Sequence, residues 1–130
     1  MFTMQATVVI PALNEEEFIG DCLRSLRAQT RPPAEIIVVD NGSTDRTVEI
    51  AKRYADRVII IPSVSIVELR QAGAEEARNP IIVSTDADTT YPTDWLETLT
   101  AHFSDPSVVI FSINSFVFRL NNVRRGIFFI

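Results

Sequence analysis

Four β-branched runs frame this chain: Ala6-Thr7-Val8-Val9-Ile10, Glu35-Ile36-Ile37-Val38-Val39-Asp40, Arg57-Val58-Ile59-Ile60-Ile61 and Ile81-Ile82-Val83-Ser84. Each is short, apolar and bounded by Pro, Asp or polar residues, which reads as a strand, with the second and fourth runs buried. Between the runs the apolar period changes. Phe18, Ile19, Cys22, Leu23 and Leu26 recur at helical spacing, with Asn14 as the expected cap and Glu15 to Glu17 in the first turn. A second helix follows the Asn41–Asp45 turn to about Tyr54 with Val48, Ala51 and Ala55 inward, and Ser65 to Arg78 gives a third with Ile66, Leu69, Gly73 and Ala77 on one side. A fourth begins near Asp94 and turns Leu96, Leu99 and Phe103 to the core, with Trp95 as packing. Strands alternating with helices of this length predict a parallel, doubly wound sheet. Val108 to about Phe118 adds a fifth strand or a strand pair.

The ends of the strands carry the chemistry. The first run is predicted to stop at Pro11, ahead of Asn14-Glu15, the second ends in Asp40, and the fourth runs into Thr85-Asp86-Ala87-Asp88. In a parallel sheet these ends share one rim, where α/β proteins bind ligands. Asp86 and Asp88, one residue apart, repel unless donors or a cation compensate them. A hard divalent ion with oxygen ligands, shared with a phosphate, resolves that repulsion. A solvated polar loop after a strand is the plain alternative for this pair taken alone.

Composition narrows the classes. The length of 130 residues fits one domain over 1–130, and 22% charged residues with 46% hydrophobic ones exclude a disordered chain. A net charge of −5 argues against nucleic acid as partner. Cys22 and His102 are single, so neither a disulfide within the chain nor a multi-His or Cys-based metal cluster can form; Cys22, on the apolar helix face, reads as a core thiol. No secretory signal or membrane-spanning run is legible, which makes a cytoplasmic location the default. The last twenty residues differ from the rest. Five of the eight Phe lie between Phe111 and Ile130, Arg119, Arg124 and Arg125 sit among them, and no acid follows Asp105. This segment reads first as the cut end of a longer protein. The other readings are a core-packed terminus and a contact of 111–130 with a membrane surface or a partner.

Several phosphate-binding folds fail on their own motifs. Pro11-Ala12-Leu13-Asn14 has no glycine, which removes dinucleotide-binding and P-loop turns. A response-regulator receiver needs an acidic pair after the first strand and a late lysine, and Lys52 is the only Lys. Asp86-Ala87-Asp88-Thr89-Thr90 fits the haloacid-dehalogenase pattern, but the lysine and second acidic pair of that fold do not follow it.

Three linked stretches do carry a resemblance: Val8-Val9-Ile10-Pro11-Ala12-Leu13-Asn14-Glu15-Glu16, Ile36-Ile37-Val38-Val39-Asp40-Asn41-Gly42-Ser43-Thr44-Asp45, and Asp86-Ala87-Asp88 with Pro92-Thr93-Asp94-Trp95-Leu96 behind it. In order and spacing they resemble the family-2 glycosyltransferases of the GT-A fold, over roughly Thr7 to Val109. The resemblance implies a Rossmann-like, mostly parallel α/β sheet flanked by helices, truncated after the Asp-x-Asp half. It implies a site for a nucleotide-diphosphate sugar with Mn²⁺ or Mg²⁺. Asp40 matches the acid that contacts the base, beside Asn41, and Pro11, Ala12, Leu13, Asn14 and Glu15 match the wall along base and ribose. Leu13 stands where many members carry a stacking aromatic. Arg70 matches a basic residue near the nucleotide, with a solvated helix charge as its alternative. Asp86 and Ala87 fall at the ribose side, and Asp88, with Asp86, at the metal. The acceptor, glycan or lipid-linked, is not specified. An inverting transfer also needs a general base; in the family it follows the Asp-x-Asp motif at a distance, whereas Glu97 and Asp105 lie on a helix with a structural role. The chain is thus expected to supply a donor site without a catalytic base. A non-catalytic nucleotide-binding or protein-interaction module of the same fold is the alternative.

Overall fold

The computed structural model describes residues 5–101 and the backbone of 110–112 and 116–119. Four parallel strands, β1 (Ala6–Ala12), β2 (Glu35–Asp40), β3 (Arg57–Ile60) and β4 (Ile81–Ser84), alternate with helices α1 (Ile19–Arg27), α2 (Thr47–Tyr54) and α3 (Ile66–Glu76). Helix α4 (Trp95–Ala101) follows, and then a strand pair, β5 (Ile110–Ser112) and β6 (Phe116–Arg119). The sheet runs β3-β2-β1-β4-β6-β5. β6 joins β4 antiparallel, with Ile82 opposite Phe118, so the sheet is mostly parallel, and β5 and β6 make the expected strand pair among the described residues.

Alternation along the strands divides the core between two faces. Val8, Ile10, Ile36, Val38, Ile81 and Val83 pack against α1, α2 and α4 through Ile19, Cys22, Leu23, Leu26, Ala51, Leu96 and Leu99. Val9, Ile37, Val39 and Ile82 face the other way, onto Leu69 and Ala74 of α3. Helix α3 sits close because Gly73 has no side chain; a Cβ there would lie 2.3 Å from Val9 Cγ1 and 3.0 Å from Val39 Cγ2.

Four expectations change. Pro11 does not stop β1 but pairs with Val39 inside it. Along β1, Val9 turns its carbonyl to the β4 side, where it accepts from Thr85, and Ala12 turns its carbonyl to Asn41 at the end of β2. Pro11 therefore faces β4, whose ladder ends at the Val9–Ser84 pair, and its missing N–H removes no sheet bond. Asn14 is not a helix cap: α1 begins at Ile19, after a turn in which Glu15 O accepts from Phe18 N and Ile19 N. Ile66 lies on the open side of α3 and is 55% exposed, leaving Leu69, Gly73 and Ala74 as the buried face. Val48 is only half-buried.

The expected inward packing of Phe103 and the 111–130 contact surface lie outside the described residues. Among the described residues no helix is long and apolar enough to cross a membrane.

Candidate functional site

At the C-terminal rim of the sheet, the β1–α1 and β2–α2 loops are stitched together. Asn14 adopts φ of 51°, a left-handed conformation that Asn tolerates better than most residues. Its N–H donates to Ser43 Oγ at 2.8 Å and its Oδ1 accepts from Thr44 N at 2.9 Å. Glu15 N donates to Thr47 Oγ1 at 2.8 Å, and Glu16 N to Asp45 Oδ2 at 3.2 Å. Arg46 N returns a bond to Glu16 Oε2 at 3.1 Å. The donors that a local helix cap would satisfy are thus met by side chains 29 to 32 residues away, which is why the Asn14–Glu17 signal misleads. Asp45 carries a desolvation cost, yet hydrogen bonds from Thr47 and Glu16 hold its carboxyl below the usual Asp range.

Asp40 closes this half from beneath. It is 1% exposed; Oδ2 accepts from Gly42 N at 2.9 Å and Ser43 N at 2.8 Å, and Oδ1 from Ser43 Oγ at 2.5 Å. Gly42 turns the chain at φ of 85°, where a side chain would be strained. Asn41 fixes the next connection by accepting from Val64 N at 3.1 Å.

The acidic loop follows β4. Arg70, on α3, donates to Ser84 Oγ and to Asp86 Oδ1 at 2.9 Å, and its side chain is only 11% exposed. It is therefore no solvated helix charge; it holds Asp86, itself 55% exposed, against the end of β4. Asp88 is exposed and accepts from Thr89 Oγ1 at 3.3 Å. Across from them, Glu15 is pushed above the usual Glu range, first by burial and then by the negative fields of Asp88, Asp45 and Asp86. Beneath the loop, burial and then the Asp88 field push the Cys22 thiol up to about 12, which leaves it unreactive at neutral pH.

These pieces enclose an open cavity of about 310 Å³, lined by Pro11, Ala12, Leu13, Glu15 and Asn41 on one side and Asp86, Ala87 and Asp88 on the other, with Ile66 and Leu69 as its apolar wall. Asn14, Asp40 and Arg70 do not line it, but their hydrogen bonds hold its loops in place. Ile66 and the Ser43–Asp45–Thr47 stitching were missed from sequence. Ser65 caps α3, its Oγ accepting from Glu68 N at 3.2 Å, and the apolar residue just after it was a readable signal for Ile66; the stitching had none, because its partners are not local.

The cavity suits an anion brought in with a cation. Its charged groups, Glu15, Asp86 and Asp88, are hard carboxylate oxygens, the donor type that Mg²⁺ and Mn²⁺ take. Among the described residues no cluster of three or more His, Cys, Asp or Glu side chains could cage an ion alone. A cation here would complete its shell with ligand oxygens and water.

A four-stranded parallel sheet extended by an antiparallel neighbour of β4, with acids where β4 ends, has the architecture of the GT-A fold. The chain belongs to Glycosyl transferase family 2, whose family model matches residues 7–128. A dolichyl-phosphate hexose transferase of Haloferax volcanii is 38% identical over 89 residues, 68% of this chain and 39% of that protein. TarS 1-349 of S. aureus, solved in complex with UDP-GlcNAc, superposes with a TM-score of 0.70 at 27% identity, covering 78% of this chain and 31% of TarS. Glucosyl-3-phosphoglycerate synthase of Mycobacterium tuberculosis, solved with Mn²⁺, UDP and glucosyl-3-phosphoglycerate, gives 0.67 at 26% identity, covering 77% and 39%. The chain spans 22% to 39% of the length of the first four curated relatives.

Proposed function

We propose that this chain holds the donor of a glycosyltransferase, a nucleotide-diphosphate sugar, in the cavity between the stitched loops and the acidic loop. The observation that carries the reading is the unequal treatment of the two acids: Arg70 binds Asp86 at 2.9 Å, while Asp88 is left exposed toward the cavity beside Glu15. Asp88 would be the main ligand of Mn²⁺ or Mg²⁺, with Asp86 on the ribose side or as a second contact. When bound, the cation supplies Lewis-acid stabilisation of charge developing on the departing diphosphate. The wall from Pro11 to Glu15 lies along ribose and base, and Leu13, 48% exposed, packs on the base together with Ile66. A carboxylate offers about four lone-pair sites. Asp40 uses three, on Gly42 and Ser43, and, 1% exposed, it serves the base end of the cavity by ordering the turn beside the lining. Asn41 stands next to it on the lining.

The raised proton affinity of Glu15 supports the same reading. Burial is the first cause of that rise and the fields of Asp88, Asp45 and Asp86 follow; a divalent ion would relieve the electrostatic part. A UDP-GlcNAc complex and a UDP–Mn²⁺ complex among the similar structures add support for the donor class. The acceptor, glycan or lipid-linked, and the general base of an inverting transfer would lie outside the donor cavity.

Calorimetric titration with UDP and GDP, with Mn²⁺ and with EDTA, tests the proposal. Metal-dependent binding that disappears in Asp88→Ala is the expected result. Binding indifferent to Mn²⁺, or to Asp88→Ala, would refute it.

A further inference from the structure

The loop from Thr85 to Asp94 carries both acids yet has no regular secondary structure, so its backbone polar groups need partners elsewhere. One edge of α1 and the turn after it supply them. Cys22, Ser25 and Gln29 follow one another at helical spacings of three and four. Cys22 Sγ donates to the Asp86 carbonyl at 3.4 Å. Ser25 Oγ accepts from Tyr91 N at 3.1 Å while donating to Cys22 O at 2.7 Å. Gln29, 4% exposed, donates from Nε2 to Pro92 O at 2.6 Å and to Ser25 O at 3.1 Å, and accepts at Oε1 from Leu96 N at 2.9 Å. Thr30 N adds a bond to Thr93 O at 2.7 Å.

Asp88 therefore sits on a span fastened at Asp86 and again from Tyr91 onward. The Tyr91 hydroxyl meets Thr85 Oγ1 across the base of that span, and its ring packs on Trp95 with centroids 4.1 Å apart. A Gln with every polar atom engaged, buried where Leu or Met would pack as well, is informative. Its amide bonds the backbone of another element at two points, which an apolar side chain cannot do. The opposite cavity wall is held by different bonds, those of Asn14 with Ser43 and Thr44 and of Asn41 with Val64.

We infer that Ser25 and Gln29 are positioning residues: through Tyr91, Pro92 and Leu96 they set where Asp88 stands, and hence how tightly a divalent cation is held together with a nucleoside diphosphate. This rests on the donor-site reading above and assigns part of that site's precision to α1 and the turn after it, which do not line the cavity.

The test compares wild type, Ser25→Ala, Ser25→Thr and Gln29→Leu, titrated with UDP and GDP in Mn²⁺ and in EDTA. Binding is read by calorimetry and by fluorescence of Trp95, the chain's single Trp. The Mn²⁺-dependent affinity should fall about tenfold in Ser25→Ala and Gln29→Leu, the range seen when the support of a metal ligand is removed. Affinity in EDTA should stay within about twofold, because the base wall is held independently. Ser25→Thr, which keeps the hydroxyl, should restore most of the loss. Unchanged Mn²⁺-dependent affinity in folded variants, or an equal fall with and without Mn²⁺, overturns the inference. If Gln29→Leu fails to fold, Ser25→Ala and its Thr rescue decide the matter. Absence of any Mn²⁺ effect in wild type refutes the donor-site reading and this inference with it; a normal wild-type effect kept by the variants refutes this inference alone.

Discussion

The two loops that face each other across the cavity are held in opposite ways. In the stitched half, side chains bind backbone: Ser43, Asp45 and Thr47 occupy the N–H groups of Asn14, Glu16 and Glu15, and Asp40 is buried under its own turn. In the acidic half, helix α1 fastens the backbone from below and the carboxylates face outward, with Asp86 partnered by Arg70 and Asp88 left toward the cavity. Apart from Glu15 and Asn41, which reach the lining, the polar groups of the first half are used up by the fold, whereas Asp88 of the second is kept for a ligand. The difference separates two kinds of variant: those that damage stability and those that damage binding.

The largest effect should come from Asp88→Asn, which keeps the shape of the acid but removes its charge. Mn²⁺-dependent nucleotide affinity is expected to drop on the order of 100-fold, the size of a lost charge-assisted contact, with little change in the urea midpoint. Calorimetry beside a denaturation curve reads both. Gly73→Ala tests the packing that both halves stand on. Its methyl group would press into Val9 and Val39, and overpacking of this kind costs about 2 kcal/mol, measurable as a lower urea midpoint.

Thr47→Val attacks the stitching alone. Thr47 is fully buried, and its isosteric replacement strands Glu15 N and removes one of the three donors to Asp45. A loss of about 1 kcal/mol is expected for a part-buried donor left unpaired, again by denaturation.

The smallest effect concerns Glu15. Because its carboxyl is raised in the folded state, the native protein binds that proton more readily than the unfolded chain does. Stability from this group therefore falls as pH rises through the folded value, and above it the charge is a net penalty. Glu15→Gln should accordingly be slightly more stable than wild type near about pH 7, with the difference vanishing below the ordinary Glu range. Urea midpoints across that pH span check the sign.

Much of this was legible before the structure. The runs at Val8–Ile10, Ile36–Val39 and Ile81–Val83 carry strong local preferences, and the order of the strand-end acids pointed to one rim. What failed was non-local. Asn14 looks like a cap because Glu15, Glu16 and Glu17 follow it, and only the fold brings Ser43 and Thr47 to take that role. Pro11 looks like a strand stop because the side to which its nitrogen points depends on where β4 ends. Ile66 fits the inward face of α3 by spacing, but the helix begins beside the cavity rather than over the core. Gln29 carries no pattern at all in one dimension; its significance lies in Pro92 and Leu96, more than sixty residues on.

The division of labour between the two halves is tested most directly by measuring Mn²⁺-dependent UDP and GDP affinity and the urea midpoint together on wild type, Asp88→Asn and Thr47→Val. The account predicts that Asp88→Asn loses metal-dependent binding at nearly unchanged stability. Thr47→Val should lose stability and, where folded, keep the ratio of affinity with Mn²⁺ to affinity in EDTA. Both variants losing both properties in parallel, or Asp88→Asn binding like wild type in Mn²⁺, would contradict it.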